Sequence, residues 1–288
     1  MVWVIAASII FGINPALISM STSRGMEPVS QIFWMYAVSC VINFFCCRAS
    51  GMPLKTEKNK ALLMMTIGLI GMGGTGCLLT VSYQLIGTGT STLIHFMYPA
   101  IVSGTACLLA KKFPNGKMIS AIALSVLGVI LLVQVNGGHN GGMKIFPAAL
   151  SVLTYSFYFI LNGRPFLKTL PSQAKCVWMT AGVWIGFGLY LLLRGRIIIP
   201  VDGFGVILIL LTGISSAVAY NCLVYGIKKI GSEKAAFASL LEPLTSMFLG
   251  ILAGGEAFTL KKGLGSMLIL LSVCCSTLSQ KGRCSQWI

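Results

Sequence analysis

The chain has 288 residues, 56% of them hydrophobic and 9% charged, and its mean hydropathy is +0.88. That balance excludes a soluble globular domain as the whole chain. The 21 Lys and Arg against 6 acids give a formal net charge of +15, but the bases stand between long apolar runs rather than on a polar face, which reads as membrane topology and not as nucleic-acid binding.

Apolar windows of about 20 residues, enough to cross a hydrocarbon core, cover 2–22, 29–47, 61–84, 90–110, 116–135, 144–163, 174–193, 204–227, 234–253 and 262–280. Backbone groups in lipid must bond within their own segment, so each window is predicted to be a helix. Barrel strands need only about 10 residues of alternating polarity, a pattern these windows lack. The first window has no basic start and no A-x-A site before Arg24, so it is expected to be a membrane helix rather than a leader. Ten cysteines lie mostly inside apolar runs, with no C-x-x-C pair and no Cys/His spacing suited to a metal; no metal or cofactor is expected.

Polar residues inside these windows are costly and therefore informative. The first window holds Asn14 beside Pro15. The fourth holds Ser91, His95 and Tyr98 at i, i+4 and i+7, followed by Pro99. Tyr155, Tyr158 and Asn162 share a face of the sixth, and Ser216, Tyr220 and Asn221 cluster in the eighth. The ninth carries Ser239 and Glu242 just before Pro243. A carboxylate at mid-membrane depth costs roughly 3 kcal/mol on insertion scales, so Glu242 needs a reason to be there. Within the windows, His95 and Glu242 are the groups able to change charge near neutral pH. Pro15, Pro99 and Pro243 each remove a backbone hydrogen bond and are candidate hinges.

The chain is internally duplicated at a constant offset of 144. Trp34-Met35 recurs as Trp178-Met179, Ile86-Gly87 as Ile230-Gly231, and Pro99 as Pro243. The offset also maps His95 onto Ser239 and Tyr98 onto Glu242. The halves are 1–135 and 143–288, joined by a glycine-rich connector, 136–142, that carries His139. With five windows each, an odd number, the second half enters the bilayer inverted, as in secondary transporters whose site lies near the midplane between repeats. The expected fold is an all-α integral membrane protein of ten transmembrane helices in two inverted five-helix repeats. A cytoplasmic N-terminus leaves Arg24, Lys144, Arg194, Arg196, Lys261 and Lys262 outside and the other fifteen bases inside, so both termini are expected in the cytoplasm.

This pattern resembles the drug/metabolite transporter superfamily and, within it, the EamA family. The resemblance rests on Phe11-Gly12-Ile13-Asn14, the Ile-Gly turns at 86–87 and 230–231, and Glu242-Pro243 followed by Gly254-Gly255-Glu256. It spans the chain and departs at Lys111-Lys112, where the first repeat of the family often has an acid. It implies a ten-helix exporter of small metabolites, commonly amino acids, with helices 1, 3, 4, 6, 8 and 9 around a central cavity and helices 5 and 10 at the periphery.

The functional expectation is a secondary active transporter, not an enzyme, that exports amino acids or related neutral or zwitterionic compounds across the plasma (inner) membrane by alternating access. An efflux pump for cationic drugs is the alternative. Anionic substrates would call for a Lys or Arg deep in a window, and the sequence places none there. The candidate substrate and coupling residues are Asn14, His95, Tyr98, Tyr158, Tyr220, Ser239 and Glu242. The expected partners are a small-molecule substrate, a coupling proton and the lipid bilayer, with no nucleic acid. The sequence sets no oligomeric state and is compatible with a monomer. A membrane enzyme would need a catalytic constellation such as H-E-x-x-H, and the sequence contains none.

Overall fold

The computed structural model describes residues 1–109, 116–133, 141–195, 197–199, 202–239, 241–242, 245 and 259–279, and their regular structure is entirely helical. Among these described residues, six helical stretches are long and apolar enough to cross a membrane: Val2–Thr22, Pro28–Ala49, Lys58–Ile86, Met143–Asn162, Ser172–Leu193 and Gly203–Ile230. They coincide with the first, second, third, sixth, seventh and eighth predicted windows.

Helix α1 (Val2–Thr22) runs through Pro15 without a break. Helix α2 (Pro28–Ala49) starts on a proline, whose missing N–H would have had no acceptor in a first turn anyway. The third window is one continuous span of three parts: α3 (Lys58–Ile67), a π-helical turn over Gly68–Gly74, and α4 (Thr75–Ile86). Next come α5 (Thr88–His95), α6 (Tyr98–Leu109), α7 (Gly116–Val133), α8 (Gly141–Asn162) and the short α9 (Pro165–Lys168). The last four are α10 (Ser172–Leu193), α11 (Gly203–Ile230), α12 (Ser232–Ala238) and α13 (Leu260–Ser279). Asp202 caps α11 by accepting from the Gly205 N–H at 3.0 Å. Because α8 starts at Gly141, the last two residues of the expected connector are helical; 136–140 lie outside the described residues.

One expectation needs correcting. The fourth window is two helices, not one, with a turn at Phe96–Met97. Pro99 cannot donate to the carbonyl four residues back, and its ring crowds that carbonyl. A new helix therefore starts at Tyr98, with the proline in its first turn, where it is tolerated. Pro15 thus lies inside a continuous helix and Pro99 opens one, while Pro243 lies outside the described residues.

The two Ile-Gly turns are alike in geometry. Gly87 ends α4 at φ 81° and ψ 159°, and Gly231 ends α11 at φ 85° and ψ 160°. Side chains avoid that region and glycine does not, so each helix can stop and the next begin at once.

The helices pack in a consistent pattern: α1 on α11, α2 on both α10 and α11, and α4 on α8, with the π turn against α8 and α10. Helix α7 packs along α13, and their other contacts are mainly with α5, α6 and α12. Two indoles tie α2 and α10 to loops of the opposite half. Trp34 Nε1–H donates to Ile198 O at 2.9 Å, and Trp178 Nε1–H donates to Leu54 O at 3.1 Å. Donor and acceptor of the second bond are displaced by 144 from those of the first, in opposite directions. Trp34→Phe and Trp178→Phe are each expected to lower stability by about 1 kcal/mol, the usual worth of one hydrogen bond. Thermal unfolding in detergent, followed by helical circular dichroism, checks both the size and the equality of the two losses.

Candidate functional site

A cavity of about 70 Å³ lies where α1, α2, α4, α5, α8 and α11 converge on Glu242. Helix α1 contributes Phe11, Asn14, Pro15 and Ile18, and α2 contributes Met35 and Tyr36. Thr75, Gly76, Leu79 and Tyr83 come from α4, His95 from α5, Tyr155 from α8, and Ser216 and Tyr220 from α11. An apolar cavity near 150 Å³ admits a benzene ring. This one is less than half that size, so it suits an ammonium-sized group and must widen for anything larger.

The wall is acidic and aromatic. Among the described lining residues, Glu242 is the carboxylate and His95 the imidazole, with neither Lys nor Arg. Lys175, near the start of α10, is fully buried but is not part of the wall. Its position within the seventh predicted window qualifies the expectation that no base is buried there. Among the described residues, no three His, Cys, Asp or Glu side chains come together as metal ligands.

Each polar side chain is held by a specific neighbour. The Asn14 amide donates to Ser216 Oγ at 3.1 Å, and Ser215 Oγ donates to Asn14 Oδ1 at 2.6 Å, so Asn14 pins α1 to α11 beside Pro15. The Tyr36 hydroxyl donates to the Tyr220 hydroxyl at 3.1 Å, and Phe11 meets the Tyr220 ring edge-on at 4.7 Å. His95 is buried, with Nδ1 2.9 Å from Ser151 Oγ and ring centroids 4.9 Å and 5.4 Å from those of Tyr155 and Tyr98. Glu242 is half-buried, and its N–H donates to Ser239 O at 3.1 Å.

Of the residues expected at the site, Asn14, His95, Tyr220 and Glu242 meet at this cavity, as does Pro15. Tyr98, Tyr158 and Ser239 are buried but do not line it. Tyr98 stands behind His95, its hydroxyl donating to Ala236 O at 3.4 Å. Tyr158 lies parallel to the Tyr155 ring at 5.6 Å, and its hydroxyl has no hydrogen-bond partner among the described residues. The Ser239 hydroxyl donates back to Ala235 O at 3.0 Å. The turn at Phe96–Met97 explains Tyr98: the spacing of His95 and Tyr98 defines one face only along an unbroken helix. Sequence reasoning does not single out Tyr36, Thr75 or Tyr83. The available signal is that Thr75, Leu79 and Tyr83 recur every four residues and so share one face of α4.

The comparisons with known proteins agree with this architecture. The EamA-like transporter family matches residues 1–134 and 142–278. An uncharacterized inner membrane transporter of Salmonella typhimurium, YicL, is 27% identical over 241 residues, 80% of this chain and 77% of that protein. An uncharacterized transporter of Archaeoglobus fulgidus is 26% identical over 238 residues, 80% of this chain and 78% of its own. The uncharacterized transporter YyaM of Bacillus subtilis is 23% identical over 261 residues, covering 86% and 83%. A solved crystal structure superposes with a TM-score of 0.74 over 96% of both chains at 15% identity, a likeness of fold alone. With matches over both halves of the sequence and an all-helical, multi-span architecture, the chain belongs to the EamA-like transporter family and is a multi-pass membrane transporter of the drug/metabolite kind.

Proposed function

We propose that the protein exports small amine-bearing metabolites, amino acids foremost, across the plasma (inner) membrane, using the cavity at Glu242 as its substrate site. The observation that carries this reading is the wall itself, which among the described residues holds one carboxylate, one imidazole and several tyrosines, with no lysine or arginine. Such a wall attracts an ammonium group electrostatically and through the faces of the rings. The carboxylate of an amino acid would find no lining base, but α6 begins at Tyr98, directly behind His95. The positive end of that helix's dipole attracts an anion.

The transport cycle in this reading is alternating access by two inverted five-helix repeats, with both termini cytoplasmic. Its support is the paired indole bonds of Trp34 and Trp178 and the matched backbone at Gly87 and Gly231. The name of the Salmonella relative supports the inner-membrane location. A second reading, efflux of cationic drugs, draws on the same absence of lining bases. The small cavity argues against it, since an aromatic cation would have to part the helices before entering.

Purified protein in proteoliposomes tests both. Labelled amino acids, and separately quaternary and aromatic cations, are offered with and without an imposed pH gradient. Saturable flux of one or more amino acids, lost in Glu242→Ala, is the expected result. Flux of the cations alone would move the assignment to drug efflux.

A further inference from the structure

Ser151 of α8 is fully buried and does not line the cavity, yet it contacts the histidine that does. Its Oγ is 2.9 Å from His95 Nδ1 and 2.6 Å from Ala148 O. A serine hydroxyl has one proton, and a carbonyl oxygen can only accept. At 2.6 Å from that carbonyl, the hydroxyl must give its proton to Ala148 O, because two bare oxygens at that distance would repel each other. Ser151 Oγ can therefore only accept from His95, and the proton of a neutral ring must sit on Nδ1. Nε2 then carries a lone pair.

We infer that Ser151 is a positioning residue that fixes His95 as the Nδ1–H tautomer, making Nε2 a hydrogen-bond acceptor for the cavity's occupant. The occupant must then bring an N–H or O–H donor to that nitrogen, which a primary amine can do and a quaternary ammonium cannot. This deepens the proposed function and rests on its placing the substrate beside Glu242. The ring is held in place by packing as well: Phe96, Tyr98 and Tyr155 all have centroids within 5.8 Å of it. The serine adds the choice between two otherwise similar nitrogens.

The test uses full-length protein in lipid nanodiscs labelled with ¹⁵N-histidine. The chain has two histidines, so His139→Ala leaves His95 as the single reporter. A protonated, pyrrole-type Nδ1 and a bare, pyridine-type Nε2, assigned through their couplings to the ring protons, are expected at a pH where the ring is neutral. The reverse pattern would overturn the inference. Ser151→Ala should move the ring to the other tautomer or to a mixture, and Ser151→Thr, which keeps the hydroxyl, should restore the wild-type spectrum. An unchanged spectrum in Ser151→Ala would show that the serine does not choose the tautomer. Ethylammonium, the donor probe, should shift the Nε2 resonance, and tetramethylammonium, which has no N–H, should not. Ser151→Ala should weaken ethylammonium binding about fivefold, the effect of one lost hydrogen bond. If the tautomer is as inferred but ethylammonium leaves Nε2 unmoved, the placement of the substrate fails while the role of Ser151 stands.

Discussion

Glu242→Gln is expected to cut flux driven by a pH gradient by about 10- to 100-fold, from the roughly 1.5–3 kcal/mol that a hydrogen bond to a charged group contributes. The substitution keeps the size and shape of the side chain and removes only its ability to ionise, so the fold should survive. Among the described residues, Glu242 is the one carboxylate on the cavity wall. A charged group at such depth is expensive in a bilayer and is usually kept for a function. Two roles are separable. If Glu242 only holds the substrate amine, the variant should lose substrate exchange between equal concentrations as badly as gradient-driven uptake. If it carries the coupling proton, exchange should persist while uptake no longer responds to the gradient. Proteoliposome uptake and counterflow, run on the same preparation, tell these apart. Full gradient-driven flux in Glu242→Gln would remove the carboxylate from the mechanism altogether.

The contrast between Glu242 and Tyr98 shows what a membrane sequence reveals and what it hides. Glu242 stands out because a charge in an apolar window has few innocent explanations. Six of the predicted windows appear as single long spans because length and hydropathy are what the bilayer selects. The recurrence of Trp34-Met35 as Trp178-Met179 is legible for a similar reason: the pair is too specific to recur by composition, and both indoles donate to a loop carbonyl. Orientation about a helix axis is different. Lipid tails and a packed interior are equally apolar, so hydropathy does not say which face of a helix looks inward. Tyr36 and Tyr83 reach the cavity, while Tyr158, in an equally suggestive position, does not. Helix continuity is hidden as well. The π turn at Gly68–Gly74 and the break at Phe96–Met97 each shift the register of the residues beyond them, so a periodicity argument carried across them picks the wrong face.

Gly68→Ala and Gly182→Ala are expected to be the most damaging single-methyl changes among the described glycines, each costing about 3 kcal/mol, the upper end for an overpacked interior. A Cβ at Gly68 would collide with the backbone of Met179, and one at Gly182 with the backbone of Met65. Backbone cannot rotate aside as a side chain can, so relief requires the π-turn span and α10 to move apart along their whole contact. Gly186 provides the comparison: its Cβ would meet the end of the Leu69 side chain at 2.5 Å, which can turn away, so Gly186→Ala should cost about 1 kcal/mol, the low end of the overpacking range. Gly104 is the control, with nothing among the described residues within 4 Å of an added Cβ. It lies inside α6, so alanine there should be neutral or stabilising by roughly 0.5–1 kcal/mol through helix propensity. Thermal unfolding of the four variants in one detergent gives the order directly. If Gly68→Ala and Gly182→Ala are as stable as Gly104→Ala, the close approach of the two spans is not what holds them together. The expected order would instead make this glycine contact the firm seam of the molecule, leaving the polar seam of Asn14, Ser215 and Ser216 between α1 and α11 as the easier one to open. Water can replace the hydrogen bonds of that seam as it parts, whereas backbone packing has no such substitute.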